Sequence, residues 1–167
     1  MQGFYWLIEG WLAGCPRPGS RRGERIHDAP PGRTRAALDE DLAWLRARGI
    51  GALLSLTETP LDTGVLTRHG FDVLHLPVDD LHAPSAAQLH YALTFIDRQH
   101  AHDRAVAVHC LMGQGRTGTV LAAHRIRAGS GPDAALAELR ALSPGAVGSP
   151  AQEAALRAFA RRRDWIL

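Results

Sequence analysis

The chain has 167 residues, of which 46% are hydrophobic and 22% charged, so it has the composition of an ordinary folded protein with a sizeable core. Its formal net charge is +2, which is far below that of a dedicated nucleic-acid-binding protein. Two cysteines are too few for a disulfide framework, and no apolar run is long enough to span a bilayer.

The amino terminus contains a stretch that imitates an export signal. Residues 12–15, LAGC, look like a bacterial lipoprotein cleavage box. A secretory segment needs a basic start and an uninterrupted apolar run, but no basic residue precedes this box, and Glu9 and Gly10 interrupt the run. Because the sequence also shows no internal repeat or linker, we expect a single cytoplasmic domain over residues 1–167, of unspecified oligomeric state.

The first third of the chain predicts short strands followed by a long loop. Residues 4–14, FYWLIEGWLAG, are rich in aromatic and apolar residues and predict one or two short strands. Residues 15–36 are rich in Pro, Gly and Arg without periodicity, which predicts a loop. The five arginines from Arg17 to Arg33 indicate either a solvated loop or a rim that attracts phosphate-bearing substrates.

The rest of the chain alternates between predicted strands and helices. Buried strands are predicted over 50–58, 71–78 and 105–109, and helices over 37–49, 85–101, 117–129, 131–145 and 149–165. Ser85 is the predicted N-cap of the second helix. This alternation predicts an α/β fold with a single central, mostly parallel β-sheet flanked by helices.

The segment HCLMGQGRTG, residues 109–118, joins the third of these buried strands to the next helix. Its glycines let the backbone fold tightly with N–H groups pointing inward, and the following helix adds its positive end, so we expect an anion site. Cys110 and Arg116 lie at the two ends of this loop. A thiol in such surroundings ionises readily, and a guanidinium suits two oxygens of a phosphate. The loop is therefore predicted to bind a phosphoryl group and aim a nucleophile at it.

Two other interpretations fit parts of this segment. GQGRTG matches the dinucleotide-binding pattern G-x-G-x-x-G, but it lies two-thirds along the chain and leaves Cys110 and Arg116 without a role. A Walker-type loop requires a lysine, and the chain contains none. Taken alone, Cys110 would be a buried structural cysteine.

The complete pattern H-C-x5-R-[S/T]-G resembles the signature of cysteine-based phosphatases. WLIEGWLAG, GIGALLSLTE, LPVDDLHAP and SPGAVGSPAQE accompany it in the order found in small atypical dual-specificity protein phosphatases, over most of residues 4–160. The resemblance implies a phosphatase-like fold with a strand–loop–helix active site. It also implies chemistry that needs no cofactor and no metal.

The resemblance further implies a role for each residue of the signature. Cys110 would attack phosphorus and form a phosphocysteine, while Arg116 holds the phosphate oxygens. Thr117 would assist release of the thiolate, and His109 would order the loop and favour the thiolate. The implied phosphate-binding loop consists of Leu111, Met112, Gly113, Gln114, Gly115 and Arg116.

Relatives also imply a general acid and a water-positioning residue outside the loop. In them the acid is followed by three residues and a proline, a spacing that Asp80 and Pro84 fit and Asp79 does not. Gln152 lies where relatives often have a polar side chain that helps to place the hydrolytic water, although a surface glutamine is nearly as consistent with its position. Relatives often carry arginine where this chain has Ser143, so a second basic contact is in doubt.

Besides Arg116, the loop carries no basic side chain, which favours a singly phosphorylated substrate over a phosphoinositide. We therefore expect a protein-tyrosine or dual-specificity phosphatase whose partner is a phosphorylated protein or peptide, not a membrane. The same chemistry on RNA 5′-phosphates or inositol phosphates, and a non-catalytic phosphate-binding module, are the alternatives. A disulfide between Cys15 and oxidised Cys110 is a further possibility for redox regulation.

Overall fold

The computed structural model of the chain describes residues 1–20 and 31–162. The described strands are β1 (Tyr5–Ile8), β2 (Leu12–Cys15), β3 (Ile50–Ser55), β4 (Asp72–His75) and β5 (Ala105–His109). The described helices are α1 (Pro31–Arg46), α2 (Thr63–Arg68), α3 (Ala86–His100), α4 (Gly115–Arg127), α5 (Pro132–Leu142) and α6 (Pro150–Arg161).

The strands form one sheet in the order β1-β2-β5-β3-β4. β1 pairs antiparallel with β2, whereas the three other pairings are parallel. Every residue of β2, β3 and β5 is buried, as parallel strands covered on both faces must be. The predicted single, mostly parallel sheet is confirmed, and LAGC forms its buried strand β2.

Helices cover both faces of this sheet. One hydrophobic cluster joins α1 and α2 to the sheet, and the other joins α3, α4, α5 and α6 to its opposite face. Since parallel strands end at the same edge, the segments that follow β3, β4 and β5 meet there. These segments carry Glu58, Asp80 and Cys110, which places all three at one end of the sheet.

The first half of the chain differs from the predicted elements at several places; β4, for example, covers Asp72–His75 and not 71–78. α1 begins at Pro31, inside the predicted loop, because proline is well tolerated in the first turn of a helix. β3 ends at Ser55, three residues before the predicted end at Glu58. The helix α2 was not predicted, since it is short and contains Gly64; Asp62 Oδ1 caps it by accepting from the N–H of Val65 at 3.0 Å.

The later helices agree better with the sequence. Ser85 caps α3 as predicted, and the structure shows that the cap is a capping box with Gln88. α4 begins at Gly115, two residues before the predicted start, and α5 ends at Leu142, three residues before the predicted end. Residues 21–30 of the predicted loop and 163–165 of the last predicted helix lie outside the described residues.

Candidate active site

Cys110 lies directly after β5 and is 3% exposed. The loop behind it is tied to the first two strands. The N–H of Arg17 donates to the carbonyl of Leu111 at 3.1 Å, and the Tyr5 hydroxyl donates to the carbonyl of Gly113 at 3.2 Å. Since both bonds use carbonyl oxygens, they fix the loop without occupying its N–H groups.

Gly113 is required by this close packing. Its φ is +72°, and a Cβ at this position would lie 2.5 Å from the carbonyl carbon of Cys15. An L side chain would therefore be strained by its backbone conformation and would collide with the end of β2. The loop thus rests directly on the backbone of β2.

The loop presents its backbone donors without internal partners. Among the described residues, the N–H groups of residues 111–116 find no hydrogen-bond acceptor. Gln114 precedes α4 and gives it no side-chain cap, so the first N–H groups of the helix add to this set. Such a ring of N–H groups at the positive end of a helix suits a phosphate dianion.

Arg116 turns its guanidinium toward the neighbouring loops and is 2% exposed. Its Nη1 donates to the carbonyl of Val78 at 2.7 Å and to Glu58 Oε2 at 3.1 Å. Its Nη2 lies 3.0 Å from Asp80 Oδ1. The Nε–H has no partner in the described part of the chain. The guanidinium is therefore held in place by loops following β3 and β4 while part of it stays available to an anion.

Glu58 is the residue of this site that sequence reasoning missed. Its Oε2 accepts from Arg116, and its Oε1 accepts from the backbone N–H of Asp80 at 2.9 Å. Partial burial acts to raise the pKa of Glu58, but hydrogen bonds from its own backbone, Arg116 and Asp80 outweigh this and lower it. The available signal was a carboxylate at the end of the predicted buried strand 50–58.

The two neighbouring aspartates have different surroundings. Asp80 points toward Arg116, as the ion pair shows. The Asp79 carboxylate has no hydrogen-bond or ion-pair partner among the described residues, and its backbone carbonyl closes a turn by accepting from the N–H of His82 at 3.1 Å. The structure therefore brings Asp80, and not Asp79, to the loop that holds Cys110.

His109 and Thr117 are both buried beneath this loop. Burial lowers the pKa of His109 to about 3, and the charge of Arg17 adds to the shift, so the imidazole is neutral at pH 7. Its Nδ1 lies 3.4 Å from the carbonyl oxygen of Cys110. Neither Nε2 of His109 nor the Thr117 hydroxyl has a partner among the described residues. His109 can thus order the loop, but it brings no positive charge to the thiol.

Gln152 is also buried and lies against the start of α4. Its Nε2 donates to the carbonyl of His82 at 3.1 Å, while its Oε1 is buried without a partner among the described residues. A Cβ on Gly115 would lie 3.0 Å from that oxygen. The Gln152 amide therefore holds the turn that contains Asp80 and His82, and it leaves Oε1 as a free acceptor close to Gly115.

Comparison with known families agrees with this geometry. A family model described as "Tc-R-P: Polymorphic toxin system, DSP-PTPase phosphatase" matches residues 29–130, which is more than half of the chain. The chain belongs to this family of DSP-PTPase phosphatases. The matched stretch contains Glu58, Asp80, Cys110 and Arg116.

Relatives of known structure share the DSP-PTPase fold. Tk-PTP in its active form is 33% identical, with 74% of this chain and 86% of that chain covered and a TM-score of 0.70. DUSP15 is 19% identical, with 97% and 91% covered and a TM-score of 0.73. PTPMT1 in complex with PI(5)P is 18% identical, with 96% of both chains covered and a TM-score of 0.71. The resemblance to small atypical dual-specificity phosphatases is confirmed.

One curated relative is named for a lipid phosphate. The chain is 28% identical over 127 residues to phosphatidylglycerophosphate phosphatase PTPMT2 of Arabidopsis thaliana. The match covers 73% of this chain and 56% of that protein, so the chain spans little more than half the length of this relative. DSP-PTPase relatives thus include enzymes named for a lipid phosphate.

The second cysteine of this DSP-PTPase domain faces away from the first. Cys15 belongs to the hydrophobic cluster under α1 and α2, whereas Cys110 belongs to the cluster on the opposite face of the sheet. Both are free thiols. Burial raises the pKa of Cys15 far above its ordinary value, and the nearby Cys110 adds to this shift. Cys15 is therefore a neutral, buried thiol.

The predicted arginine rim falls largely outside the described residues, apart from Arg17. The Arg17 guanidinium donates to the Thr57 hydroxyl and to the carbonyls of Thr59 and Pro60, so it holds the loop after β3. Ser143, where the resemblance implies an arginine in relatives, is buried. In the described part of the chain no helix combines the length and apolarity needed to cross a membrane, and no His, Cys, Asp and Glu side chains gather as a metal site.

The pKa of His109 predicts a loss of stability in mild acid. The unfolded chain binds a proton on this histidine below its ordinary pKa of 6.5, whereas the folded chain does so only near 3. The contribution of His109 to the free energy of unfolding is therefore complete above pH 6.5. It falls as the pH drops, by about 2 kcal/mol between pH 7 and 5. His109→Gln should remove this contribution. Urea unfolding of both chains at the two pH values measures the difference; parallel losses would contradict the assignment.

Proposed function

We propose that the chain hydrolyses the phosphomonoester of phosphotyrosine in proteins or peptides through a phosphocysteine on Cys110. The observation that carries the proposal is the ring of unbonded N–H groups over residues 111–116, closed by Cys110 at one end and Arg116 at the other. Asp80 lies within reach of the same guanidinium. These are the parts that phosphoryl transfer needs: a cradle for three oxygens, a nucleophile and an acid.

In the first step the substrate phosphate would take its place in the cradle, and Asp80 would turn from Arg116 to the ester oxygen. The Cys110 thiolate attacks phosphorus, so the S–P bond forms as the P–O bond breaks. Protonated Asp80 gives its proton to the departing oxygen, which leaves as an alcohol or phenol. Arg116 and the N–H groups hold the remaining oxygens as charge spreads over them.

In the second step water would attack phosphorus and expel the thiolate. Asp80, now a carboxylate, takes one proton of the water, and the free Oε1 of Gln152 accepts a hydrogen bond from the other. Thr117, whose buried hydroxyl has no partner among the described residues, donates to the departing sulfur. Inorganic phosphate and free Cys110 are the products, and the scheme uses neither cofactor nor metal.

The surroundings of the loop favour a substrate with one phosphate on an apolar group. The loop carries no basic side chain besides Arg116, and Met112 within it is 49% exposed. Leu81, next to Asp80, is 68% exposed. Apolar side chains at this position suit an aromatic ring better than a headgroup with several phosphates.

Two free cysteines suit a reducing compartment, so we place this activity in the cytoplasm, on a single domain.

A lipid phosphomonoester is the second candidate. The observation in its favour is the similarity to phosphatidylglycerophosphate phosphatase PTPMT2, together with the fold shared with PTPMT1, whose structure contains PI(5)P. A single terminal phosphate on a glycerol would need the same cradle, and the exposed apolar side chains could contact acyl chains.

A substrate panel separates these candidates. We expect kcat/KM without added metal to be highest for a phosphotyrosine peptide, lower for the same peptide with phosphoserine or phosphothreonine, and lowest for inositol phosphates and RNA 5′-phosphates. The lipid candidate is tested on vesicles that contain phosphatidylglycerophosphate. Phosphate released from every substrate is measured with malachite green. A higher kcat/KM on those vesicles would transfer the proposal to lipid. Absence of turnover on every substrate would leave a phosphate-binding module.

The acid is tested by a matched pair of neighbouring aspartates. Asp80→Ala should lower kcat/KM for the phosphotyrosine peptide on the order of 10²-fold, because a poor leaving group needs a proton. Asp79→Ala should leave the rate unchanged, since its side chain has no contact at the site. Initial rates from pH 5 to 8 measure both effects. If Asp79→Ala were the slow variant, the acid would be Asp79.

A further inference from the structure

The turn that carries Asp80 has an unfavourable backbone conformation. The N–H of His82 donates to the carbonyl of Asp79, and Leu81, within the turn, has a φ of +63°. Glycine or asparagine is favoured where a turn needs a positive φ, and leucine is not. The Leu81 side chain is 68% exposed, so packing around it does not hold this conformation. Within the turn, Nδ1 of His82 also lies 3.0 Å from the carbonyl oxygen of Asp80, and further contacts come from outside it.

The first turn of α6 supplies those contacts. The Ser149 hydroxyl donates to the carbonyl of Leu81 at 2.8 Å, and Nε2 of Gln152 donates to the carbonyl of His82 at 3.1 Å. Two consecutive carbonyls directly after Asp80 are thus bonded to one helix end. The bond from Ser149 is made at the strained residue itself.

Ser149 is well placed to act as a rigid anchor because its hydroxyl is used twice. It is the N-cap of α6, where its Oγ accepts from the N–H of Gln152 at 3.3 Å, and the same oxygen donates to Leu81. One hydroxyl group therefore joins the end of a helix to the turn of the proposed acid.

The loop that precedes Ser149 is packed against the helix that carries Arg116. A Cβ on Gly118 of α4 would lie 2.9 Å from the Cβ of Ala146, which shows how closely the two backbones approach. Arg140 donates to the carbonyls of Ala146 and Val147. The loop that ends at Ser149 is therefore held against α4.

We infer that Ser149 is a positioning residue, whose hydrogen bond to the Leu81 carbonyl sets the place of the Asp80 carboxyl relative to Arg116 and the phosphate loop. Glu58 holds the other side of Asp80 by accepting its backbone N–H. Ser149 thus acts on proton donation to the leaving group and not on the attack by Cys110. The inference rests on the proposed role of Asp80 as the general acid.

Three variants separate this role from helix capping. Ser149→Ala removes both the cap and the bond to Leu81, Ser149→Gly removes the bond but costs a helix N-terminus little, and Ser149→Thr keeps both. The readout is kcat/KM on phenyl phosphate and on p-nitrophenyl phosphate, because only the poorer leaving group, phenolate, depends strongly on a proton. Thermal unfolding checks that each variant is folded.

We expect Ser149→Ala and Ser149→Gly to slow phenyl phosphate about tenfold more than p-nitrophenyl phosphate, and Ser149→Thr to restore the wild-type ratio. In an Asp80→Asn background, the Ser149 variants should leave that ratio unchanged. Equal losses on both substrates, or a changed ratio without Asp80, would overturn the inference. If Asp80→Asn itself left the ratio at its wild-type value, the acid assignment would fail, and this inference with it.

Discussion

Replacing Cys110 with serine is expected to abolish phosphate release, by on the order of 10⁵-fold, while the chain still binds phosphate esters. Serine differs from cysteine by one atom, so it fits a position that is 3% exposed. Its hydroxyl, however, stays protonated near pH 7 and is a poor nucleophile unless a base activates it. The neutral His109 has no partner at Nε2 among the described residues and lies at the carbonyl of Cys110, so it is not placed to be that base.

The measurement is p-nitrophenyl phosphate turnover without added metal, beside calorimetric binding of a phosphotyrosine peptide to Cys110→Ser. Cys15→Ser is the matched control, because Cys15 is equally buried but lies on the opposite face of the sheet. We expect it to keep its turnover. Full activity of Cys110→Ser would exclude the phosphocysteine, and equal inactivation of both variants would indicate damage to the fold.

Elements with strong local signals could be predicted from the sequence. The apolar run that becomes β3 is buried throughout, and Ser85 caps α3, as its position just before the helical pattern predicts. The helix α2 has no such pattern over its six residues, so its stability comes from the burial of Val65 and Leu66 against the sheet. Tertiary packing of this kind cannot be deduced from six residues alone.

The signature residues of the site could be predicted because they are close together in sequence. Residues 109–118 contain the strand end, the glycines and the arginine, whose spacing is specific. Glu58 could not be predicted in the same way, because its contact with Arg116 joins residues 58 positions apart. A carboxylate just after a strand is usually solvated, and only the sheet order, with β3 beside β5, shows that this one faces the loop.

The ion pair between Asp80 and Arg116 also has a consequence for binding. A phosphate dianion and the Asp80 carboxylate would compete for the same Nη2, and the carboxylate is the more exposed of the pair. In the proposed scheme the protonated Asp80 carries no charge, so it gives up this ion pair as it turns to the leaving group. Asp80 therefore has to leave Nη2 before a phosphate oxygen can take its place there.

The second large effect is expected for Arg116→Lys, which should lower kcat/KM for the phosphotyrosine peptide by about 10³-fold although the charge is kept. The guanidinium donates hydrogen bonds to Glu58 and the Val78 carbonyl and forms an ion pair with Asp80, while its Nε–H remains available to a phosphate oxygen. An ammonium group is a single point charge and cannot reach the loops after β3 and β4 and the phosphate together. In the proposed scheme the guanidinium also holds the transition-state oxygens, so we expect a fall in kcat as well as in kcat/KM.

Glu58→Gln is the companion variant because it keeps an amide oxygen beside the N–H of Asp80 but removes the charge opposite Arg116. Since Glu58 orients the guanidinium and does not touch the phosphate in the proposed scheme, we expect a loss of about tenfold. Steady-state rates and thermal unfolding of both variants measure the effects. Rates within tenfold of wild type for Arg116→Lys would show that charge alone suffices. A larger loss for Glu58→Gln than for Arg116→Lys would place Glu58 in direct contact with the reaction, because a residue that acts only through Arg116 cannot matter more than Arg116 itself.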